Sequence, residues 1–141
     1  MNKRTFILVS ALALGLATQA RAAEFGSLGL VNFNRVEADF NVSRSAALLA
    51  NIGVDGIGAG YKYFLDRNYV GFNLAARGNL SLNNTNSTTF SGTLGYRFLI
   101  PTANSGIRGL ELEAEGGPAL FNVNGNSSVG TILALRAGIR F

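Results

Sequence analysis

From Thr131 to Phe141 the chain alternates two kinds of side chain without a break. Thr131, Leu133, Leu135, Ala137, Ile139 and Phe141 fall on one side of an extended backbone, and Ile132, Ala134, Arg136, Gly138 and Arg140 on the other. A repeat of two residues belongs to a strand, because a helix would scatter both sets around its circumference. One face of this strand is Leu, Ile and Phe, and the opposite face carries two arginines. Whatever the chain folds into must keep those two faces in different surroundings.

The same alternation recurs upstream. Val36, Ala38, Phe40 and Val42 oppose Arg35, Glu37, Asp39 and Asn41. Ala46 to Val54 leads to Asp55-Gly56, a two-residue hairpin signal, and Ile57, Ala59, Tyr61 and Tyr63 return opposite Gly58, Gly60, Lys62 and Phe64. Val70, Phe72, Leu74 and Ala76 oppose Gly71, Asn73, Ala75 and Arg77. Phe90, Leu94, Tyr96, Phe98 and Ile100 oppose Ser91, Thr93, Gly95 and Arg97, and Leu110, Leu112 and Ala114 oppose Glu111, Glu113 and Glu115. With Phe25 to Phe33, whose facing is ambiguous, and the final strand, the pattern predicts eight strands. Polar loops are expected at residues 81–87 and 122–128, with turns near Ser43, Arg67 and Ala103.

The N-terminus reads as an export signal. Lys3 and Arg4 precede an apolar run of about twelve residues from Phe6 to Ala17, and Ala20-Arg21-Ala22 is a small-x-small cleavage pattern. Twelve apolar residues fall short of the roughly twenty that a spanning helix needs. The expected organisation is therefore a Sec-type signal peptide over 1–22 and a single domain over 23–141. Of twelve Lys and Arg, three lie in the signal, leaving nine against eight Asp and Glu. That balance gives no reason to expect a nucleic-acid partner. Cysteine and histidine are absent, so no disulfide, thiolate or imidazole chemistry is available. A mature chain entering a bilayer without a spanning helix must do so as a closed barrel.

Signal peptide, alternating strands and a terminal Phe141 together resemble the small bacterial outer-membrane β-barrels of the porin-like, OmpA, OmpX and opacity type. The resemblance covers the whole mature chain and picks out no subfamily. It implies an all-β, eight-stranded antiparallel up-and-down transmembrane β-barrel in the bacterial outer membrane. It further implies contact with outer-membrane lipid and lipopolysaccharide, monomeric behaviour, and an assembly signal for the outer-membrane machinery in Tyr96, Leu135, Ile139 and Phe141. Phe40, Tyr61, Tyr63, Tyr69, Tyr96, Phe98 and Phe141 lie near the turns assigned to the periplasmic side, where a barrel carries an aromatic girdle.

On this register Arg35 and a network of Glu37, Asp39, Lys62, Arg77, Arg97, Glu111, Glu113, Glu115, Arg136 and Arg140 face inward. A barrel of eight strands is barely wide enough for its own side chains, so these charges are expected to pair with one another. Glu111-x-Glu113-x-Glu115 could hold a metal or act as an acid/base pair, but Arg136 and Arg140 on the next strand are nearer partners. Gly56-x-Gly58-x-Gly60 lacks the helix and the GK[ST] ending of a phosphate loop and reads as a smooth inner strip. Lipid A-modifying barrels are similar in size but rely on a histidine, which this chain lacks. The expectation is no catalytic, cofactor or metal site: a non-enzymatic scaffold presenting its loops for envelope integrity or surface contact. The alternatives are a narrow porin-like conduit and a soluble periplasmic ligand-binding barrel.

Overall fold

The computed structural model describes residues 24–83, 86–103 and 106–141. The segment 1–22, expected to be a signal peptide, lies outside these residues. Eight strands follow in order: β1 (Glu24–Val31), β2 (Arg35–Asn41), β3 (Ala46–Gly53), β4 (Gly56–Phe64), β5 (Gly71–Ser81), β6 (Ser87–Pro101), β7 (Gly109–Val123) and β8 (Asn126–Arg140). Each pairs antiparallel with its sequence neighbour, and β1 pairs with β8 to close the barrel. The up-and-down topology therefore has no strand crossing over another.

The registers set the width. Following partners around the wall leads from Gly138 through Gly29, Glu37, Asn51, Gly58, Asn79, Thr89 and Phe121 to Ser128, ten residues back along β8. Eight strands with that stagger tilt by about 40° and enclose a backbone cylinder of roughly 8 Å radius. Such a cylinder has room for side chains and little else.

The wall is inside-out relative to a soluble domain. Arg97, Arg136, Arg140, Lys62, Glu37 and Glu111 are among the largest fully buried side chains, with Phe64 and Leu49 as large apolar ones beside them. Leu74, Leu94, Ile100, Leu135 and Phe98 are half or more exposed on the outer face.

Three local features depart from the sequence reading. The ambiguous first strand contains a register shift between Phe25 and Ser27, so Phe25 faces out while Leu28 and Leu30 keep the outward position after it. An extra residue at Gly26 reverses the parity, as a bulge does. The β3–β4 turn is Val54-Asp55 and not Asp55-Gly56, because Gly53 and Gly56 form the closing pair.

The polar loop expected at 122–128 is instead strand. β7 and β8 run on to a two-residue turn at Asn124 (φ 51°) and Gly125 (φ 87°), both left-handed as a type I′ hairpin requires. Asn122, Ser127 and Ser128 are polar because the strands continue past the apolar band, and not because they leave the sheet.

The wall is consequently uneven. β1 to β4 have seven to nine residues, whereas β6, β7 and β8 have fifteen each. One rim is low on the β1–β4 side and high on the β6–β8 side.

Candidate functional site: the ion-paired lumen and the bowl above it

Alternation puts every second residue inside, and the stagger decides which of them meet. Arg140 Nη1 lies 3.0 Å from Glu111, and Glu111 lies 2.7 Å from Arg136. Arg136 reaches Asp39 at 3.4 Å, and Asp39 lies 2.7 Å from Arg97. Arg97 lies 2.7 Å from Glu113, which in turn lies 2.7 Å from Lys62. Lys62 reaches Glu115 at 3.6 Å, Glu115 lies 2.6 Å from Arg77, and Arg77 lies 2.8 Å from Glu37. Glu37 returns to Arg136 at 3.8 Å.

All ten inward charges of the predicted network thus form one path of alternating sign, five cations and five carboxylates. Neutral groups complete it. Asn73 Nδ2 donates to Glu113 at 2.8 Å, Thr93 Oγ1 to Glu115 at 2.7 Å, and Arg136 Nη2 to Ser27 Oγ at 2.8 Å. The inward parity of Asn73 and Thr93 was legible, but their role depends on which carboxylate the stagger brings opposite.

Arg136 and Arg140 both converge on Glu111, while Glu113 and Glu115 are held chiefly by Arg97 of the other neighbouring strand, β6, and by Lys62 and Arg77 from strands farther round the wall. The three glutamates therefore act as acceptors for guanidinium and ammonium groups. Among the described residues no group of three or more Asp and Glu is arranged to hold a metal ion.

Tyr69 departs from the girdle. It sits in the β4–β5 turn with φ 61°, after Asn68 at φ 79°. Its ring packs edge-on against the inward Phe64 at 5.6 Å, the Arg140 guanidinium lies 4.2 Å from its centroid, and its hydroxyl donates to the Ser43 carbonyl. The side chain folds over the barrel mouth, and partial burial raises its phenol pKa above the ordinary value. Phe64 also faces Arg97 at 4.8 Å, so this end is stoppered by rings and guanidinium groups.

On the outside of that end, Phe25 meets Phe40 at 5.7 Å and Phe141 at 5.3 Å. Tyr96 meets Phe72 at 4.8 Å and Phe98 at 4.6 Å. Tyr61 and Tyr63 occupy outward positions of β4. Phe25 and Phe72 join the expected ring of aromatics. Leu135, Ile139 and Phe141 share the outer side of the chain's end, and Tyr96 shares a row with Leu135, with Ala114 between them. The Phe141 N–H donates to the Gly26 carbonyl, tying the last residue to β1.

The opposite end is open. Above the Arg77–Glu37–Glu115 floor lies a bowl of about 370 Å³. Asn79, Ser81, Ser87, Thr89 and Ser91 line one side, and Val31, Phe121, Ile132 and Ala134 the other. At the low rim Arg35 pairs with Asp55 at 2.7 Å and donates to Asn79 Oδ1 at 3.2 Å. The Arg35 hydrogen bond holds the Asp55 carboxyl below its ordinary pKa. The sixth inward cation, Arg35, so finds a partner outside the inward set.

No protein-family model, curated protein or solved structure matches the chain.

Proposed function

We propose that the protein is a non-enzymatic β-barrel of the bacterial outer membrane, exported by its N-terminal signal and acting as a scaffold for envelope integrity or surface contact. The observation that carries the reading is the reversal of burial: charges fill the core while Leu, Ile and Phe cover the wall. Exposed apolar faces of that extent are unfavourable in water and are what a bilayer accepts. The ring of aromatics at one end supports it, matching side chains that prefer the membrane interface. Outer-membrane lipid and lipopolysaccharide are the partners this wall fits, and the β8 edge with Phe141 is the segment the assembly machinery would read.

A scaffold fits better than a conduit because the ten-charge path and the Tyr69 stopper fill one half of the lumen. The bowl favours the second reading, a narrow conduit of which it would be the vestibule. Cell fractionation and gel mobility with and without boiling test the proposal. Outer-membrane recovery with a heat-modifiable band is expected, and recovery in the soluble periplasmic fraction without a shift would overturn it. Planar-bilayer recording then separates the two readings: the scaffold predicts no steady conductance.

A further inference from the structure

The bowl is not used by the scaffold reading, and its walls have a consistent chemistry. Its charges are already neutralised, Arg35 by Asp55 at the rim and Arg77 by Glu37 and Glu115 at the floor. An ion entering it would meet no uncompensated partner. What remains available is neutral. The β5–β6 side offers hydroxyls and an amide in Asn79, Ser87, Thr89 and Ser91. The adjoining β7, β8 and β1 strands offer Phe121, Ile132, Ala134 and Val31, with Phe121 directly beside Thr89.

Phe121 is the one aromatic side chain lining the bowl among the described residues, and its position is built by a glycine. A Cβ on Gly130 of the neighbouring β8 would come within 3.1 Å of the ring. The missing side chain lets the ring lean onto the wall, leaving the bowl clear. The Asn79 amide and the Ser87 and Thr89 hydroxyls sit on half-buried residues of the lining, whereas the Ser91 hydroxyl and Arg35 Nε lie beneath its surface. Hydroxyls and an amide converging beside one aromatic ring on a concave lining are the polar groups of a small-molecule site.

We propose that this bowl binds a pyranose ring. A sugar has the two-sided chemistry that the walls complement. One face of C–H groups can lie on an aromatic ring, and the hydroxyls around its edge both donate and accept. The volume accommodates one ring with a substituent. The Asn79 amide and the Ser87 and Thr89 hydroxyls take the hydroxyls, and Phe121 takes the apolar face. The ring could come from a free sugar or from the saccharide of a glycolipid, since the low β1–β4 rim leaves the bowl accessible from the side as well as from above. The free-sugar source is independent of what the outer wall faces, and only the glycolipid source rests on the membrane reading.

The test uses the full chain folded in dodecylphosphocholine micelles, whose heads contain no sugar. Saturation-transfer NMR with methyl glucoside, methyl galactoside and N-acetylglucosamine reads the free-sugar arm, and a glucosyl lipid in phosphocholine bicelles reads the lipid-linked arm. Transfer in either arm is expected, with a Kd on the order of 1 mM for a ligand of this size. Phe121→Leu should weaken it about fivefold or more, and Thr89→Val should weaken it by less. Val129→Ala, outside the bowl, should not change it. Gel mobility checks that each variant is folded. Were Phe121→Leu to misfold, the methyl resonances of Ile132 and Ala134 in the unsubstituted protein would decide, since they must shift on titration. Absence of transfer in both arms, equal transfer with folded Phe121→Leu, unmoved methyls, or tighter binding of inorganic phosphate than of any sugar each overturns the proposal.

Discussion

Replacing Arg97 by Met probes the lumen at its most connected point. The side chain is 0% exposed and touches Asp39 and Glu113 at 2.7 Å and Glu111 at 3.4 Å. Methionine keeps much of the length but removes the cation, leaving five carboxylates facing four cations. Asp39 would retain only Arg136 at 3.4 Å, whereas Glu113 keeps Lys62 and Asn73 and Glu111 keeps Arg136 and Arg140. Breaking a buried pair by removing one partner costs about 3–5 kcal/mol, and the surviving partners place this variant at the lower end, near 3 kcal/mol. Adding Glu113→Gln restores equal numbers of charges and keeps a hydrogen-bond acceptor for Lys62. The double variant should therefore be more stable than the single by roughly 1–2 kcal/mol, a sign of coupling that independent residues do not give. Equilibrium urea unfolding in lipid vesicles, read by gel mobility, measures all four corners of the cycle. A single-variant cost below about 1 kcal/mol with no coupling would refute the reasoning, because it is the behaviour of solvated surface pairs.

Other perturbations address other parts of the wall. Leu94→Arg, on an outward residue 54% exposed, should cost about 2 kcal/mol in vesicles, against a near-neutral effect if the wall faced water; urea titration distinguishes the two. Gly138→Ala should destabilise by about 1–3 kcal/mol, because its Cβ would meet the Leu28 carbonyl at 2.6 Å and Gly29 Cα at 2.8 Å at the closing seam, whereas Gly92→Ala meets nothing within 4 Å and should be tolerated. Asp55 has a lowered folded-state pKa, so its pairing with Arg35 is fully present above the unfolded pKa and is lost as pH falls through the folded one. Asp55→Asn should lower stability slightly at neutral pH, as expected of an exposed pair, and leave it unchanged at low pH, so that the acid limb of the pH–stability curve flattens.

Strand number, parity and the identities of the inward charges were legible because a period of two survives any choice of register. Glu111, Glu113 and Glu115 had to share a face whatever stood opposite them. Their partners were not legible. Lys62 to Glu113 and Arg97 to Asp39 cross from one part of the wall to another, and a stagger of eight or twelve instead of ten would have paired different residues. Asn124-Gly125 was available as a hairpin signal but lay within a run of Asn and Ser whose composition also suits a loop. Tyr69 was placed by its height among the turn aromatics, and only its left-handed backbone sends the ring across the mouth. The parity change at Gly26 left no mark beyond an alternation that would not resolve, which is how a bulge appears in one dimension.

The seam between β1 and β8 has a consequence for how the molecule comes into being. Its five residue pairs, from Ser27 with Arg140 to Val31 with Arg136, join opposite ends of the chain, whereas every other strand pair can zip from a local hairpin. Closure is therefore the step with the largest loop entropy, and a ribbon of seven paired hairpin interfaces can precede it with both margins bare. Until those five pairs form, the margins are templates for any extended chain nearby, and the charge ladder is a wet, open trough. Arg136 meets Ser27 of β1 and Asp39 of β2 only across this seam, so sealing the barrel is also the step that joins the two ends of the charge path.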